Sequence, residues 1–482
     1  MKKLIRLLPV FLLWSCEDAL REAPKAIAAE SFYNTVPEVE SAMNAIYQQL
    51  RAPNNISGQL GAQLEAYTDY SYGRGSYQPL THFQGLNTTN ISRTDEAWRL
   101  FYLGIRNANF VIANAPRGKN LTPDAVKQLV AEARFLRAYN YFWLVRNWGG
   151  VPLRTEATLT QPNVARSPAD EVYNLILADL AEAEASLPET QSQTGRATRW
   201  AAKAALAEVY FTRGQYAQAR DKADAIIQSG QFSLVPVAVA GDFEKIFGPA
   251  VGTTPEEIFY LKMVRVPGQG MYLPLFAHHP GSRLHGAGGF FAHYTDAQLN
   301  SFFKNWDDLD LRKRYNWYPW NIGLGANTLL NKKFSDPSAP AGDAAGNDYP
   351  VYRYADVLLL YAEAAARAGN GPTAEALEAL NQVHRRAYGQ PVNAPSAVDF
   401  KLADHPLPSF VDLVIRERGY ETQYEAKRWL DLKRLGPAEL KARIKAATGK
   451  DVADKHLLWP IPVGELNYNA ALTPGTDQNP GY

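Results

Sequence analysis

Two stretches of this chain carry small residues and tyrosines at the spacing that lets one helix pack closely on the next, which restricts it to a helical scaffold. Between Thr198 and Ser229 these are Ala207, Tyr210, Gly214, Tyr216 and Ala219, with the run broken at Arg213-Gly214. A second pair begins at Val357 and holds Leu358, Tyr361, Ala362, Ala365, Gly369, Ala376 and Leu380. Alanine and glycine let two helix axes approach, and the tyrosines fill the space beside them. Further helices follow from apolar residues three and four apart. Phe32, Val39, Met43, Ile46, Tyr47 and Leu50 form one run, which ends before Pro53. Trp98, Phe101, Tyr102, Ile105, Ala108, Asn109 and Ile112 share one face of another. A helix is predicted from Pro123 to Arg146, where Trp148-Gly149-Gly150 turns the chain, and one over residues 168–187, stopped by Leu187-Pro188.

The small and aromatic positions of the two pairs match those of a tetratricopeptide repeat. Between the pairs the helical period is lost, and over residues 233–350 glycine, proline, asparagine and aromatic residues dominate. That stretch is far longer than an ordinary connection, and long irregular insertions in compact proteins usually carry function. The expected fold is mostly α, a tetratricopeptide-like helical-pair scaffold with a long loop-rich insertion. The expected organisation is an N-terminal helical region over residues 31–232 and a C-terminal region over 233–482 that contains the insertion.

The N-terminus reads as a lipoprotein signal. Lys2, Lys3 and Arg6 precede an apolar stretch from Leu4 to Trp14 that is too short to span a bilayer. Leu13-Trp14-Ser15-Cys16 then resembles a lipobox, although Trp14 is bulkier than such sites usually carry. Cys16 is the only cysteine in the 482 residues, so the fold holds no disulfide and stability must come from a packed core. Residues 1–15 are the expected signal peptide, Cys16 the lipidated residue, and the polar segment 16–30 a tether. Glu17 and Asp18 resemble the acidic signal that sends many Bacteroidetes lipoproteins to the outer face of the outer membrane.

Fifty basic residues against forty-nine acidic ones, with no basic block, argue against nucleic acid as a partner. Aromatic residues make 12% of the chain, more than a helical core needs, so some rings are expected at the surface. Tyr67, Tyr70, Tyr72 and Tyr77 lie together with Asp69 and Arg74, and Trp306, Trp317, Tyr318 and Trp320 form a second cluster. Sugar rings present flat C–H faces that stack on such side chains, while their hydroxyls bond to Asp, Asn, Arg and Lys. Four histidines, His278, His279, His285 and His293, fall in one glycine-rich stretch with Arg283. No Cys or HExxH helix supports a metal there, and bonding to a polar ligand or loop packing fits better. Trp306-Asp307-Asp308-Leu309-Asp310-Leu311-Arg312 holds three carboxylates, yet no spacing shows the cleft-spanning pair that a glycosidase needs. In the run from Ile415 to Gly436, Glu417, Glu421, Glu425, Arg428 and Asp431 are three or four apart, so they can pair along one helix or across to a neighbour. Such alternation lowers carboxylate pKa values, which suits a structural role and not general-acid work. No catalytic residue, metal or cofactor is expected.

Several blocks taken in order resemble the SusD/RagB family of outer-membrane nutrient-binding lipoproteins. They are Trp98-x3-Tyr102-x2-Ile105-x3-Asn109, EARFLRAYNYFWLVRNWGGVPL from Glu132, RYADVLLLYAEAA from Arg353, IRERGYETQYEAKRWLDLKRLG from Ile415, LLWPIPVGELNYN, and the terminal Gln478-Asn479-Pro480-Gly481-Tyr482. Asp356 stands where the family pattern leads one to expect Glu, and Asp310-Leu311-Arg312 resembles a structural step of the family. The resemblance implies a SusD-like fold and a surface lipoprotein that captures glycan for a TonB-dependent SusC-like transporter in the outer membrane. A peptide ligand is the alternative within the family, and a secreted glycosidase is the weaker reading outside it. It also implies ligand-binding rings in loops of this kind. The expected binding residues are Tyr70, Tyr72, Arg74, Tyr77, His279, Arg283, Trp306, Trp317 and Trp320.

Overall fold

In this computed structural model the structure describes residues 32–482, so the expected signal peptide, Cys16 and the whole tether over 16–30 lie outside them. The helices start where the sequence supplies a cap. In α1 (Val36–Arg51), Glu38 turns back to accept from the Asn34 and Thr35 amides at 2.9 and 2.8 Å. Asn87 caps α2 (Thr88–Asn114) and Thr122 caps α3 (Pro123–Trp148), each accepting from the amide three residues on. After α4 (Ala169–Ser186), Thr198 does the same for α5 (Arg199–Thr212), which is followed by α6 (Tyr216–Ile227). Then come α7 (Tyr354–Ala368), α8 (Ala374–Ala387, capped by Thr373) and α9 (Leu407–Glu421). The third helix runs to Trp148, slightly beyond the expected end, and Gly149 stops it at φ 77°.

Each helix from α2 to α6 packs on the one before it, and α6 then packs on α7, so the series continues across the intervening chain. Ala207, Ala219, Ala362, Ala365 and Ala376 are buried, while Tyr210, Tyr216 and Tyr361 pack half-buried against the core. This is the division of labour the repeat spacing predicts. The fold is therefore mostly α, with the insertion spliced between two adjacent helices.

The insertion contributes most of the short strands. Of these, β1 (Tyr72–Gly73), β5 (His293–Asp296), β6 (Trp317–Pro319) and β7 (Thr328–Asn331) form an antiparallel sheet in the order β1-β5-β7-β6. Two strand pairs stand apart from it. In one, β2 (Val151–Pro152) pairs with β3 (Arg166–Ser167); in the other, β4 (Glu257–Leu261) pairs with β8 (Tyr349–Arg353).

The charged run from Ile415 is a hub and not one continuous helix. It breaks after Glu421, with Tyr424 and Ala426 both at positive φ, and resumes over Arg428–Arg434. The charges consequently reach outward. Buried Glu421 meets Arg353 and Arg386 at 2.5 Å and Arg312 at 3.3 Å, and Arg312 also meets Asp310 and Glu417 at 2.6 and 2.7 Å. Glu425 holds Lys333 and Arg353, and Arg428 binds Asp69 at 2.6 Å. These pairs tie the insertion and the segment after α1 to the helices. Gly419 is required here, since a Cβ would come within 2.8 Å of the Arg428 guanidinium and 2.9 Å of Phe302.

The C-terminal tail is docked, but through a different side chain from the one its aromatic end suggests. Asn479 is buried and donates to the Trp148 and Trp459 carbonyls at 2.9 and 2.6 Å. Arg166 donates to its side-chain oxygen at 2.5 Å. The Tyr482 ring remains 42% exposed.

Candidate functional site

Residues directly opposite one another in a sheet share a face, and alternate residues along a strand share it too. Tyr72 lies opposite Tyr294, Asp296 opposite Thr328, and Tyr318 opposite Leu330. The register thus sends Tyr72, Tyr294 and Tyr318 to the outer face and His293 and Trp317 to the inner one. The three tyrosines are half-buried, whereas His293 and Trp317 are enclosed.

A loop adds rings beside this face. The His279 ring lies 4.9 Å from Trp320 and 4.6 Å from Phe291, and Tyr318 lies 6.1 Å from Trp320. The Arg74 guanidinium sits 4.3 Å over Phe291 and donates to its carbonyl at 3.1 Å. Tyr72 and Tyr294 pair at 5.5 Å on the adjoining strands. A continuous strip of partly exposed rings therefore runs from Trp320 through His279 and Phe291 to Arg74.

The loop backbone follows a tightly constrained path. Gly289 passes so close to His278 that a Cβ would sit 2.1 Å from its carbonyl oxygen, and Phe291 adopts φ 38°, which a bulky residue rarely does. Its amide donates to the His278 carbonyl at 2.9 Å. The turn Pro280–Ser282 leads into Arg283, also left-handed at φ 56°, and its Gly281 packs against the Trp320 ring. His279 Nδ1 accepts from the Gly281 amide at 3.0 Å, which puts the proton of the neutral ring on Nε2.

Beyond Phe291 the strip opens into a hollow of about 460 Å³, lined among others by Arg74, Tyr77, Arg93, Tyr272, Phe276 and Phe290. Arg93 sits 4.1 Å over the Tyr77 ring, and Phe290 is 54% exposed. No carboxylate is among the lining residues. Stacking rings and fixed donors make a surface that can bind and orient a ligand.

Comparison with known proteins places the chain in a family. Residues 298–482 match the family model described as "SusD family", and residues 26–211 match that described as "Starch-binding associating with outer membrane". The chain belongs to the SusD/RagB family. SusD-like protein P2 of Formosa agariphila is 28% identical over 98% of this chain and 97% of its own length. Among solved structures, a SusD homolog from Bacteroides thetaiotaomicron superposes with a TM-score of 0.80 at 23% identity, covering 94% of this chain and 98% of that one. A laminarin binding SusD-like protein does so with 0.73 at 22% identity, covering 92% and 99%.

Within this SusD/RagB chain the expected binding residues divide. Arg74, His279 and Trp320 lie on the strip, Tyr72 lies on the adjoining sheet face, and exposed Arg283 follows the turn that packs against Trp320. Tyr77 forms the floor of the hollow beneath Arg93 and is itself buried. Tyr70, Trp306 and Trp317 are not available as stacking surfaces. Trp306 is 2% exposed, lies flat on Tyr420 with ring centroids 4.3 Å apart, and donates to the Asp310 carboxylate at 2.8 Å. Trp317 is 5% exposed and donates to Gln423 at 2.8 Å. Tyr70 is enclosed between Glu65, to which it donates, and the Tyr424 amide. These three rings hold the insertion to the helices.

Sequence reasoning missed Phe290, Phe291, Tyr294 and Arg93. Gly288-Gly289 directly before two phenylalanines was the available signal for the first two. Arg93, on α2, carried none.

Two of the clustered histidines, His278 and His293, serve packing. His278 donates from Nε2 to the Phe334 carbonyl at 2.8 Å, and burial lowers its pKa to about 4. His293, wedged 4.9 Å from Tyr77, is pushed down to about 3 by burial and by Arg93. Among the described residues no group of three or more His, Cys, Asp or Glu could hold a metal ion.

Proposed function

We propose that this chain is a non-enzymatic cell-surface lipoprotein, anchored through Cys16, that captures oligosaccharide or polysaccharide. It then passes the glycan to a TonB-dependent SusC-like transporter of the outer membrane. The observation that carries this reading is the strip from Trp320 through His279 and Phe291 to Arg74, with Tyr72, Tyr294 and Tyr318 on the adjoining sheet face. Rings in a shallow line suit the flat faces of successive sugars, and fixed guanidiniums suit their oxygens. The laminarin-binding neighbour and the starch-binding family description support a glycan ligand. Outer-membrane association in that description fits an anchor outside the domain, since no described helix is long and apolar enough to cross a membrane.

Isothermal titration against starch, laminarin, acidic polysaccharides and a peptide panel should give binding to a glycan, and incubation should release no new reducing ends. Binding confined to peptides would replace the glycan by the alternative ligand. Release of reducing ends would contradict the non-enzymatic assignment.

A further inference from the structure

We infer that the glycan taken by this surface is acidic, with a carboxylate or sulfate ester seated between Arg74 and Arg93. This rests on the glycan-binding reading above and adds the ligand's charge. Formal charge over the whole chain is only +1, so any local excess of cation is a property of the site. Most buried or half-buried arginines of this protein are matched to carboxylates, as Arg137, Arg146, Arg196, Arg312 and Arg353 are. Around the strip the pattern reverses. Arg74, Arg93 and Arg283 form no ion pair among the described residues.

The guanidiniums at the hollow are positioned by neutral partners. Arg74 lies on the Phe291 face and gives one bond to its carbonyl, while Arg93 lies on the Tyr77 face and donates to Asn90 Oδ1 at 2.8 Å and Ser76 Oγ at 3.0 Å. An arginine has five N–H donors, so both keep donors for a ligand, in the fork that matches a carboxylate or sulfate. Two carboxylates stand nearby. Asp343 faces the Tyr272 hydroxyl, and Asp296 lies by Tyr72 and Tyr294 while accepting from the Gln298 and Leu299 amides. Neither pairs with these arginines. A neutral sugar would leave two fixed cations facing its hydroxyls, whereas an anionic one neutralises them while its ring faces rest on Phe290, Phe291 and Tyr272.

Titrations with oligosaccharides of polygalacturonate, carrageenan and laminarin separate carboxylate, sulfate and neutral ligands. We expect binding to one acidic set, weakening as salt is raised, and a loss of roughly tenfold in affinity for Arg74→Gln and for Arg93→Gln, the scale of a charged hydrogen bond. Arg74→Lys should recover part of that loss by keeping the charge. Arg283→Gln changes an exposed side chain, so a smaller loss there is free of any effect on folding, and thermal melts establish that the other variants are folded. Binding only to laminarin, unchanged by the three glutamine substitutions, would overturn the acidic ligand and leave the glycan-binding function standing. Acidic binding that none of the substitutions weakens would overturn the arginine seat. No binding to any of the three sets would overturn this inference and, with the wider panel also silent, the proposed function.

Discussion

Replacing Glu421 by glutamine is expected to destabilise the protein by about 3–5 kcal/mol, the scale seen when one partner of a buried ion pair is removed. The side chain is almost completely enclosed and receives Arg312, Arg353 and Arg386. Glutamine fills the same volume but leaves those guanidiniums short of a counter-charge in a place water does not reach. The loss should appear as a lower urea midpoint. Glu439→Gln provides the control, since its pair with Arg443 is half exposed and such surface changes stay within about 0.5 kcal/mol. Equal midpoints for Glu421→Gln and the control would show that the hub does not carry the packing assigned to it.

Acid should weaken the fold well before its carboxylates are exhausted. His278 and His293 are fully buried, and burial lowers their pKa values from 6.5 to about 4 and about 3. Below pH 6.5 the unfolded chain takes up protons that the folded protein refuses, so stability falls as pH drops from 6.5 towards 3, by about 3 kcal/mol or more for each histidine. Glu417 acts in the same direction at lower pH. Although burial opposes its charged form, Arg312 and His384 hold it at about 2, so its contribution is complete above 4.5 and lost as pH falls towards 2. Glu65 works the other way, because burial raises it to about 7 and protonation relieves it as pH falls from 7 to 4.5. The large shifts of the two histidines outweigh that of Glu65; His285 and His456, also lowered by burial, add to the histidine side, and Glu256 and Asp179, raised by burial, add to the glutamate side. The urea midpoint should fall between pH 7 and pH 4, and His278→Gln should flatten part of the slope. A midpoint that is level over this range would contradict the buried, neutral state of these rings.

The helical scaffold was readable because its signals are local. Threonine caps, the 3.6-residue period and alanines at close-packing positions lie within a few residues of one another, and each helix from α1 to α5 touches the next in sequence. The hub was half readable. Spacing showed that the carboxylates near Glu421 have partners, but the break at Tyr424 and the reach to Arg312 and Arg386 depend on segments far away in the chain. The site was the least readable part. Trp306, Trp317 and Trp320 lie within fifteen residues, and composition cannot separate the two that lie in the core from the one at the surface. The register of short strands decides that, because Trp317 and Tyr318 are neighbours on opposite faces of β6. Arg93 reaches the site from α2, and no pattern in the sequence joins it to Arg74.

If the ligand rests on the partly exposed rings and not on the buried ones, as proposed, Trp320→Ala and Trp306→Ala should have opposite effects. With the glycan found by titration, Trp320→Ala should lower affinity by about 1 kcal/mol or more while the melting temperature barely moves. Trp306→Ala should open a cavity under Tyr420, cost about 3–5 kcal/mol of stability, and leave the affinity of the folded fraction unchanged. Wild-type affinity in Trp320→Ala, together with lost affinity in a folded Trp306→Ala protein, would contradict the placement of the site.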